Sequence, residues 1–338
     1  MNKILFNSKK TMMYIVVIFI LTLFFGPVAF ADQSAGFSVR PILSENQVNS
    51  EVGYFDLNLE PGESQTLSLE LRNMSDEEIN LSISVHTAFT NVSGVVEYGS
   101  DADVPDDTLP FFLADYIQGD GKITLNEGET KQVDLLLTLP EDKPFEGVLA
   151  AGIRVEEIKD SEHLSEESMA IENTLSYVMG LVVSNKREQL SPELDLLAVY
   201  ADQLNFRNVF SAQIQNQSGT FVNQLEVIAS IYNEDQTERL YSTEASGMQM
   251  APHSNFAFPI PLNGESFVPG TYVLHLQANS GDLEWEWTRS FVVDDQTSKT
   301  FNRQDITIPS QTNYWLFISI FLVILLLSVF FYKNKKVI

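Results

Sequence analysis

The chain contains no cysteine among its 338 residues. Thiol catalysis, CxxC redox chemistry, thiolate zinc sites and disulfide scaffolds are therefore excluded. Catalytic motifs are missing too: the sequence has no GxSxG, HExxH, Walker or dinucleotide-binding pattern, and its four histidines are scattered. We therefore expect neither an enzyme nor a cofactor. A carboxylate pair for glycoside hydrolysis is the remaining catalytic alternative, but the sequence does not show the defined separation that it needs.

Basic residues are few. The chain has 20 of them against 46 acidic residues, and six of the 20 lie outside residues 32–313. Residues 32–313 thus contain 14 basic and 46 acidic residues, which gives a net charge of −32. A field of this sign opposes binding to nucleic acids and to anionic bilayers, so no nucleic-acid partner is expected. Cationic partners and divalent ions stay open as alternatives.

Long apolar runs occur only at the two ends of the chain. Residues 1–31 combine three lysines, an apolar run and a small-x-small cleavage pattern at 29–31, which predicts a signal peptide. An uncleaved first helix is the alternative. Residues 314–332 carry no charge and, at about 1.5 Å per residue, are long enough to cross a bilayer as one helix. The lysines at 333–338 predict a cytoplasmic tail.

These two ends predict a single-pass protein of the cell membrane with an exported middle region. An exported chain without cysteine points to a bacterium whose envelope supplies no dedicated oxidation machinery, most simply a Gram-positive one. In such a cell the exported region lies outside the membrane, at the cell wall.

The exported region alternates apolar and polar residues with period two, which predicts β-strands throughout. Its length favours two domains. The predicted fold class is all-β: two immunoglobulin-like β-sandwich domains in tandem, at 32–160 and 166–298, between the signal peptide and the transmembrane helix. Residues 299–313 are predicted to be a stalk. The sequence leaves open whether residues 169–190 close the first domain or begin the second.

Two similar stretches predict β-hairpins in the first domain. Strands at 54–59 and 66–71 flank one turn, and strands at 122–125 and 133–139 flank the other. Small residues at 150–152, within the next strand, predict the close approach of another backbone.

Seven strands are predicted for the second domain, at 194–200, 209–215, 225–232, 236–241, 255–260, 271–278 and 283–293. In the last of them, Trp285 and Trp287 alternate with acidic residues. This clean alternation favours core packing of the two rings over a sugar-binding surface.

Residues 101–121 interrupt the strand pattern, and a loop this long is either functional or contains a short helix. Its apolar residues have near-helical spacing, which favours a helix that plugs the end of the sandwich; an exposed aromatic binding surface is the alternative. No metal site is predicted. The candidates for calcium are four aspartates without EF-hand spacing, namely Asp101, Asp103, Asp106 and Asp107.

Four motifs in residues 41–98 carry a family resemblance: PILSENQ, YFDLNLEPGE, NMSDEEI and TNVSGVVEY. They resemble the opening domain of the WxL-interacting surface proteins of Gram-positive bacteria, and LNEGETKQV at 125–133 fits the same pattern. The resemblance implies a first domain that binds peptidoglycan and a second that binds host extracellular proteins, beside partner proteins that carry WxL motifs. The chain has no W-x-L motif of its own, so it is expected to be the partner of the motif-bearing proteins.

The predicted function is therefore that of a cell-surface binding protein for peptidoglycan and for WxL-motif or host extracellular matrix proteins, acting in adhesion and complex assembly. An extracytoplasmic chaperone that donates a strand to secreted subunits is the alternative, and a sensory ectodomain is disfavoured by the short tail. The aromatic loop supplies the candidate peptidoglycan-binding residues, since stacking rings and hydrogen-bonding groups suit a glycan: Phe111, Phe112, Asp115 and Tyr116.

Overall fold

A computed structural model of the chain describes residues 36–102, 104–158, 174–186, 188–308, 319 and 321–327. These residues are mostly β-strand, which confirms the all-β prediction at this level. The predicted signal peptide and cytoplasmic tail lie outside the described residues. Of the predicted membrane span, residues 319 and 321–327 are described, and they are helical and exposed. Within the described ranges, no helix combines the length and apolar character needed to cross a membrane.

The first sandwich packs two sheets face to face, with strand orders β1-β3-β9-β7 and β2-β11-β10-β4-β8, and a small β5-β6 hairpin lies outside them. The strands described here are β1 Phe37–Ile42, β2 Phe55–Asn58, β3 Ser64–Asn73, β4 Ile79–Thr87, β5 Phe89–Thr90, β6 Val96–Glu97, β7 Ile117–Gln118, β8 Lys122–Leu125, β9 Thr130–Thr138, β10 Val148–Glu157 and β11 Ser176–Ser184. A 3-10 helix, Leu113–Tyr116, precedes β7. Alternating apolar residues from both sheets form one buried core between them.

The two predicted hairpins are wrong in their pairing. Strands β2 and β3 form where expected, but they lie in opposite sheets, and β8 and β9 are divided in the same way. Each turn therefore carries the chain across the sandwich. A period-two pattern predicts which side chains of a strand face the core, but strands of both sheets face the same core. The pattern therefore does not show which sheet a strand belongs to.

The structure places the segment that the sequence left open between the two domains. Strand β11 pairs with β10 in antiparallel and with β2 in parallel register, so it belongs to the first sandwich. Residues 176–184 thus complete the first core, although the predicted second domain began at residue 166. The apolar residues Leu181 and Val183 explain this placement, since both are fully buried in that core.

The second sandwich is built from seven strands within the described residues, each of which overlaps a predicted strand, although β15 extends well beyond the predicted 236–241. They are β12 Leu194–Leu204, β13 Arg207–Asn216, β14 Val222–Asn233, β15 Arg239–Met250, β16 Ser254–Pro261, β17 Gly270–Ser280 and β18 Leu283–Val293. The sheet orders are β12-β13-β16 and β15-β14-β17-β18. Trp285 and Trp287 pack against the core, which confirms the core-packing interpretation of the last strand.

The predicted stalk is wrong for its described part. Helix α1 spans Asp295–Gln304. Its N-cap residue is Asp294, whose carboxylate accepts a hydrogen bond from the backbone amide of Thr297. Its Phe301 packs on the second core, and its Ser298 is buried. The segment is polar, but the hydroxyl of the buried Ser298 bonds to the sandwich instead of to water.

Candidate functional site

An open groove lies on the outer face of strand β11, between the segment around β6 and the second sandwich. We call it the junction groove. It holds about 1240 Å³ of space, a volume that includes its open mouth. Its lining residues are mostly apolar or aromatic: Gly53, Tyr54, Val96, Glu97, Tyr98, Gly99, Val178, Met179, Gly180, Val182 and Phe221.

The groove exists because two glycines leave the sheet surface flat. Gly152 of β10 and Gly180 of β11 are direct cross-strand partners. A Cβ at Gly152 would overlap the carbonyl oxygen of Tyr98, and a Cβ at Gly180 would come within 3.3 Å of the Tyr54 side chain. The segment after β6 can therefore lie directly on the strand, as the small residues at 150–152 predicted for Gly152.

The polar groups of the groove are two phenols and one carboxylate. Burial raises the pKa of Tyr98, and the neighbouring Tyr54 raises it further, so the Tyr98 phenol keeps its proton at neutral pH. Neither hydroxyl has a hydrogen-bond partner among the described residues. The carboxylate of Glu97 accepts a hydrogen bond from Asn91 Nδ2 at 2.7 Å. The site can thus stack on apolar ring faces and exchange hydrogen bonds with hydroxyl or amide groups at the rim.

One wall of the groove comes from the second sandwich. Phe221 directly precedes β14, and it packs against the same apolar cluster as Tyr98 and Val96 of the first sandwich. The cluster is completed by three buried alanines, one from the second sandwich and two from the first: Ala251, Ala88 and Ala150. The groove therefore continues into an apolar contact between the two sandwiches.

The candidate aromatic loop is divided between core and surface. Phe111 is 7% exposed and packs edge-on against Tyr116 and Phe145, at centroid distances of 5.0 and 5.7 Å. Leu113 is buried as well, so the short helix plugs the end of the first sandwich, which confirms the favoured interpretation. Phe112 and Asp115 are exposed. The four residues do not form one continuous exposed surface, and a binding role for Phe112, Asp115 and Tyr116 stays a prediction.

The four calcium candidates are not brought together in the described part of the chain. Asp101 Oδ2 lies 2.8 Å from His86 Nδ1, Asp106 is buried, and Asp107 is exposed. Asp103 lies outside the described residues. Among the residues that the structure describes, no group of three or more histidines or carboxylates is placed to hold a metal ion.

Asp106 links the two sandwiches instead. Its carboxylate accepts hydrogen bonds from Gln215 Nε2, at 2.9 and 3.0 Å, and from Asn255 Nδ2, at 2.6 Å. Burial raises the pKa of Asp106, but hydrogen bonds from Asn255, Thr108 and Gln215 outweigh this effect, so the pKa lies below its ordinary value. A buried, charged acceptor between two amide donors favours one relative position of the sandwiches.

The sequence did not predict the groove residues Tyr54, Tyr98 and Phe221. Single aromatic residues beside turns are common, and these three lie far apart in sequence. The only signal used was Gly152, a glycine in an otherwise apolar strand. It predicted that another backbone segment lies close to this strand, but it did not identify that segment as the one containing Tyr98.

Two family models match the chain in tandem. Residues 37–157 match "WxL Interacting Protein, peptidoglycan binding domain", and residues 166–303 match "WxL Interacting Protein, host binding domain". The second match begins before β11, the strand that completes the first sandwich. No curated protein matches the chain.

Several solved structures show a distant likeness. A chain from the chaperone-tip adhesin complex of CFA/I fimbriae biogenesis is 13% identical with a TM-score of 0.32, over 74% of this chain and 98% of that one. The E. coli chaperone DraB is 12% identical with a TM-score of 0.29, over 76% and 98%. The PapD-like domain 7 of human CEP192 is 17% identical with a TM-score of 0.26, over 46% and 87%. At TM-scores this low, the likeness carries no argument about the function of this chain. It neither supports nor opposes the chaperone alternative.

Proposed function

Since the chain belongs to the WxL-interacting protein family, we propose that it binds peptidoglycan in the junction groove and an extracellular protein through its second sandwich. Family membership supports a cell-surface binding role. The groove is the largest described opening that combines exposed aromatic rings with hydrogen-bonding groups. The proposal involves no bond-making or bond-breaking step.

The observation that carries the peptidoglycan site is the pairing of Tyr54 and Tyr98 over a flat glycine floor. A glycan strand presents apolar ring faces flanked by hydroxyl and amide groups. Aromatic side chains match the ring faces, and their phenol hydroxyls can bond to the groups at the edges. Glu97 adds an acceptor for hydroxyl, amide or amine donors of the glycan or its peptide stem.

The second sandwich offers a broad acidic face to a protein partner. Register aligns Glu244, Ile228, Gln277 and Glu286 in one row across β15, β14, β17 and β18. Glu284 lies on the same face, and the three glutamates are exposed. Such a face favours a basic partner surface and speeds its encounter. We propose a host extracellular protein or a WxL-bearing surface protein as that partner.

The proposed location is the outer side of a Gram-positive cell membrane, beneath or within the wall. The apolar segment 314–332 is proposed to anchor the chain as a single span with a cytoplasmic tail. Adhesion and assembly of surface complexes are the proposed consequences of holding a wall glycan and a protein at once.

Co-sedimentation with purified cell walls tests the peptidoglycan site. The full-length chain is expected to pellet with the walls, and Tyr98→Ala and Tyr54→Ala are each expected to weaken the binding. Phe206→Ala is the matched control, because Phe206 is an exposed aromatic residue, 67% accessible, that does not line the groove. Phe112→Ala tests the loop surface in the same assay.

The outcomes separate the two sites. Loss of pelleting in the tyrosine variants alone supports the groove. Loss in Phe112→Ala alone moves the site to the loop, and a wild-type chain that stays in the supernatant contradicts peptidoglycan binding altogether.

A further inference from the structure

We infer that the second sandwich completes the peptidoglycan site, so that Phe221 is a binding residue and the groove is intact only while the two sandwiches are docked. This inference rests on the proposed function of the groove. It assigns a residue of the second sandwich, far outside the residues matched by the peptidoglycan-binding model, to the glycan site of the first.

The first step is the position of Phe221. The backbone two residues before it is bonded to the first sandwich, because Val148 N donates to Gly219 O at 2.7 Å. Gly147 and Gly219 meet so closely that a Cβ on either would overlap the backbone of the other side. Phe221 is therefore held by main-chain contacts on the rim of the groove, where it packs on the alanine cluster that Tyr98 also contacts.

The second step concerns the opposite wall, which β6 and Tyr98 form. The hairpin that contains β6 is itself held by the second sandwich. Gln249 N donates to Gly94 O at 2.7 Å, and Ala251 N donates to Thr90 Oγ1 at 3.0 Å. The hydroxyls of Thr90 and Ser254 lie 2.7 Å apart in a buried position. Undocking would thus release both walls of the groove.

The third step is the buried bond that fixes the docked arrangement. Asp106 lies in a separate fissure between the sandwiches and does not line the groove. Its carboxylate satisfies amide donors of Gln215 and Asn255 from the second sandwich. A change at Asp106 therefore reaches the groove only by loosening the junction.

Docking and glycan binding then favour each other. A ligand that contacts both walls binds the docked state and not the undocked one. It therefore raises the ratio of docked to undocked molecules by a factor that increases with ligand concentration. A wall glycan in the groove would also fix the direction in which the acidic face of the second sandwich points.

The experiment measures affinity of the full-length chain for soluble peptidoglycan fragments. Phe221→Ala is expected to weaken binding about tenfold, as truncation of a buried aromatic anchor does. Asp106→Ala is expected to weaken it as well. Phe206→Ala and Asp107→Ala, an exposed phenylalanine and the exposed neighbouring aspartate, are expected to bind like wild type. Circular dichroism and Phe221→Leu check that a loss is not a failure to fold.

Each result decides between the claims. Weak binding by Phe221→Ala and Asp106→Ala, with both controls normal, supports a composite site. Wild-type affinity in Phe221→Ala, together with loss in Tyr98→Ala, overturns the inference but leaves the proposed function standing. No binding by the wild-type chain overturns the proposed function, and the inference with it.

Discussion

Gly152 and Gly180 lie directly opposite each other on the antiparallel strands β10 and β11. Together they remove two side chains from the outer face of a sheet whose inner face is filled. The carbonyl of Tyr98 and the ring of Tyr54 occupy the space that two Cβ atoms would need. A pair of glycines that lowers the intrinsic strand preference here creates the floor of a binding groove.

Gly152→Ala should therefore destabilise the first sandwich and displace the segment around Tyr98. The added Cβ would overlap the Tyr98 carbonyl oxygen, which belongs to backbone and cannot rotate away. Overpacking of this kind costs about 1–3 kcal/mol. Urea unfolding of the full-length chain measures the loss.

Gly270→Ala is the control for that substitution, because nothing lies within 4 Å of a Cβ at Gly270. It should leave the unfolding midpoint unchanged or raise it slightly. Equal midpoints for Gly152→Ala and Gly270→Ala would mean that Tyr98 does not lie on β10 as described.

Asp106→Ala should loosen the contact between the sandwiches. It removes a buried acceptor and leaves the amides of Gln215 and Asn255 without it, at a cost of about 1–3 kcal/mol. Hydrogen exchange should rise in the hairpin that contains Thr90 and at Gly219, while the two cores stay protected. Asp107→Ala changes an exposed neighbour and should leave exchange at both places as in wild type.

Acid should weaken the same junction. The pKa of Asp106 lies below its ordinary value of 3.8 in the folded chain. Its contribution to stability is therefore fully present above that value and is lost as the pH falls through the folded-state pKa. Unfolding of wild type and Asp106→Asn, followed from pH 7 downward, should show a constant difference that shrinks below about pH 4. A difference that does not change with pH would show that the carboxylate charge contributes nothing.

Helix α1 should prove to be part of the second sandwich. Asn302 accepts a hydrogen bond from Phe267 N at 2.7 Å and donates one to Phe267 O at 2.9 Å. Asn302→Ala removes both, so it should lower the unfolding midpoint of this sandwich by an amount equivalent to about 1–3 kcal/mol. Gln304→Ala, an exposed position in the same helix, is the control. Identical midpoints would return residues 299–304 to the predicted stalk.

Much of the fold could be predicted because the alternation of apolar and polar residues along a strand indicates directly which side chains are buried. In β4, the row Ile79, Leu81, Ile83 and Val85 faces the core as expected. Strand pairing could not be predicted in the same way, since β2 and β3 show the same pattern whether they lie side by side or in opposite sheets. Most of β15 was missed because residues 242–247 are small or polar, and this segment is a strand through its pairing with β14.

The site was harder to predict than the fold. Phe111 and Tyr116 attracted attention as a cluster of rings, but rings near the end of a sandwich also serve to close its core, and Phe111 does so. The aspartates of the same loop gave no hint that Asp106 would be buried against another domain. Contacts between distant segments, such as those that bring Phe221 and Tyr98 to one apolar cluster, leave no periodic signal in either segment.

Calorimetric titration of soluble peptidoglycan fragments into the full-length chain, wild type beside Tyr98→Ala, tests the account most directly. Saturable binding by the wild type that is lost in Tyr98→Ala and kept in Phe112→Ala is the predicted result. Equal binding by wild type and Tyr98→Ala would contradict a glycan site in the junction groove.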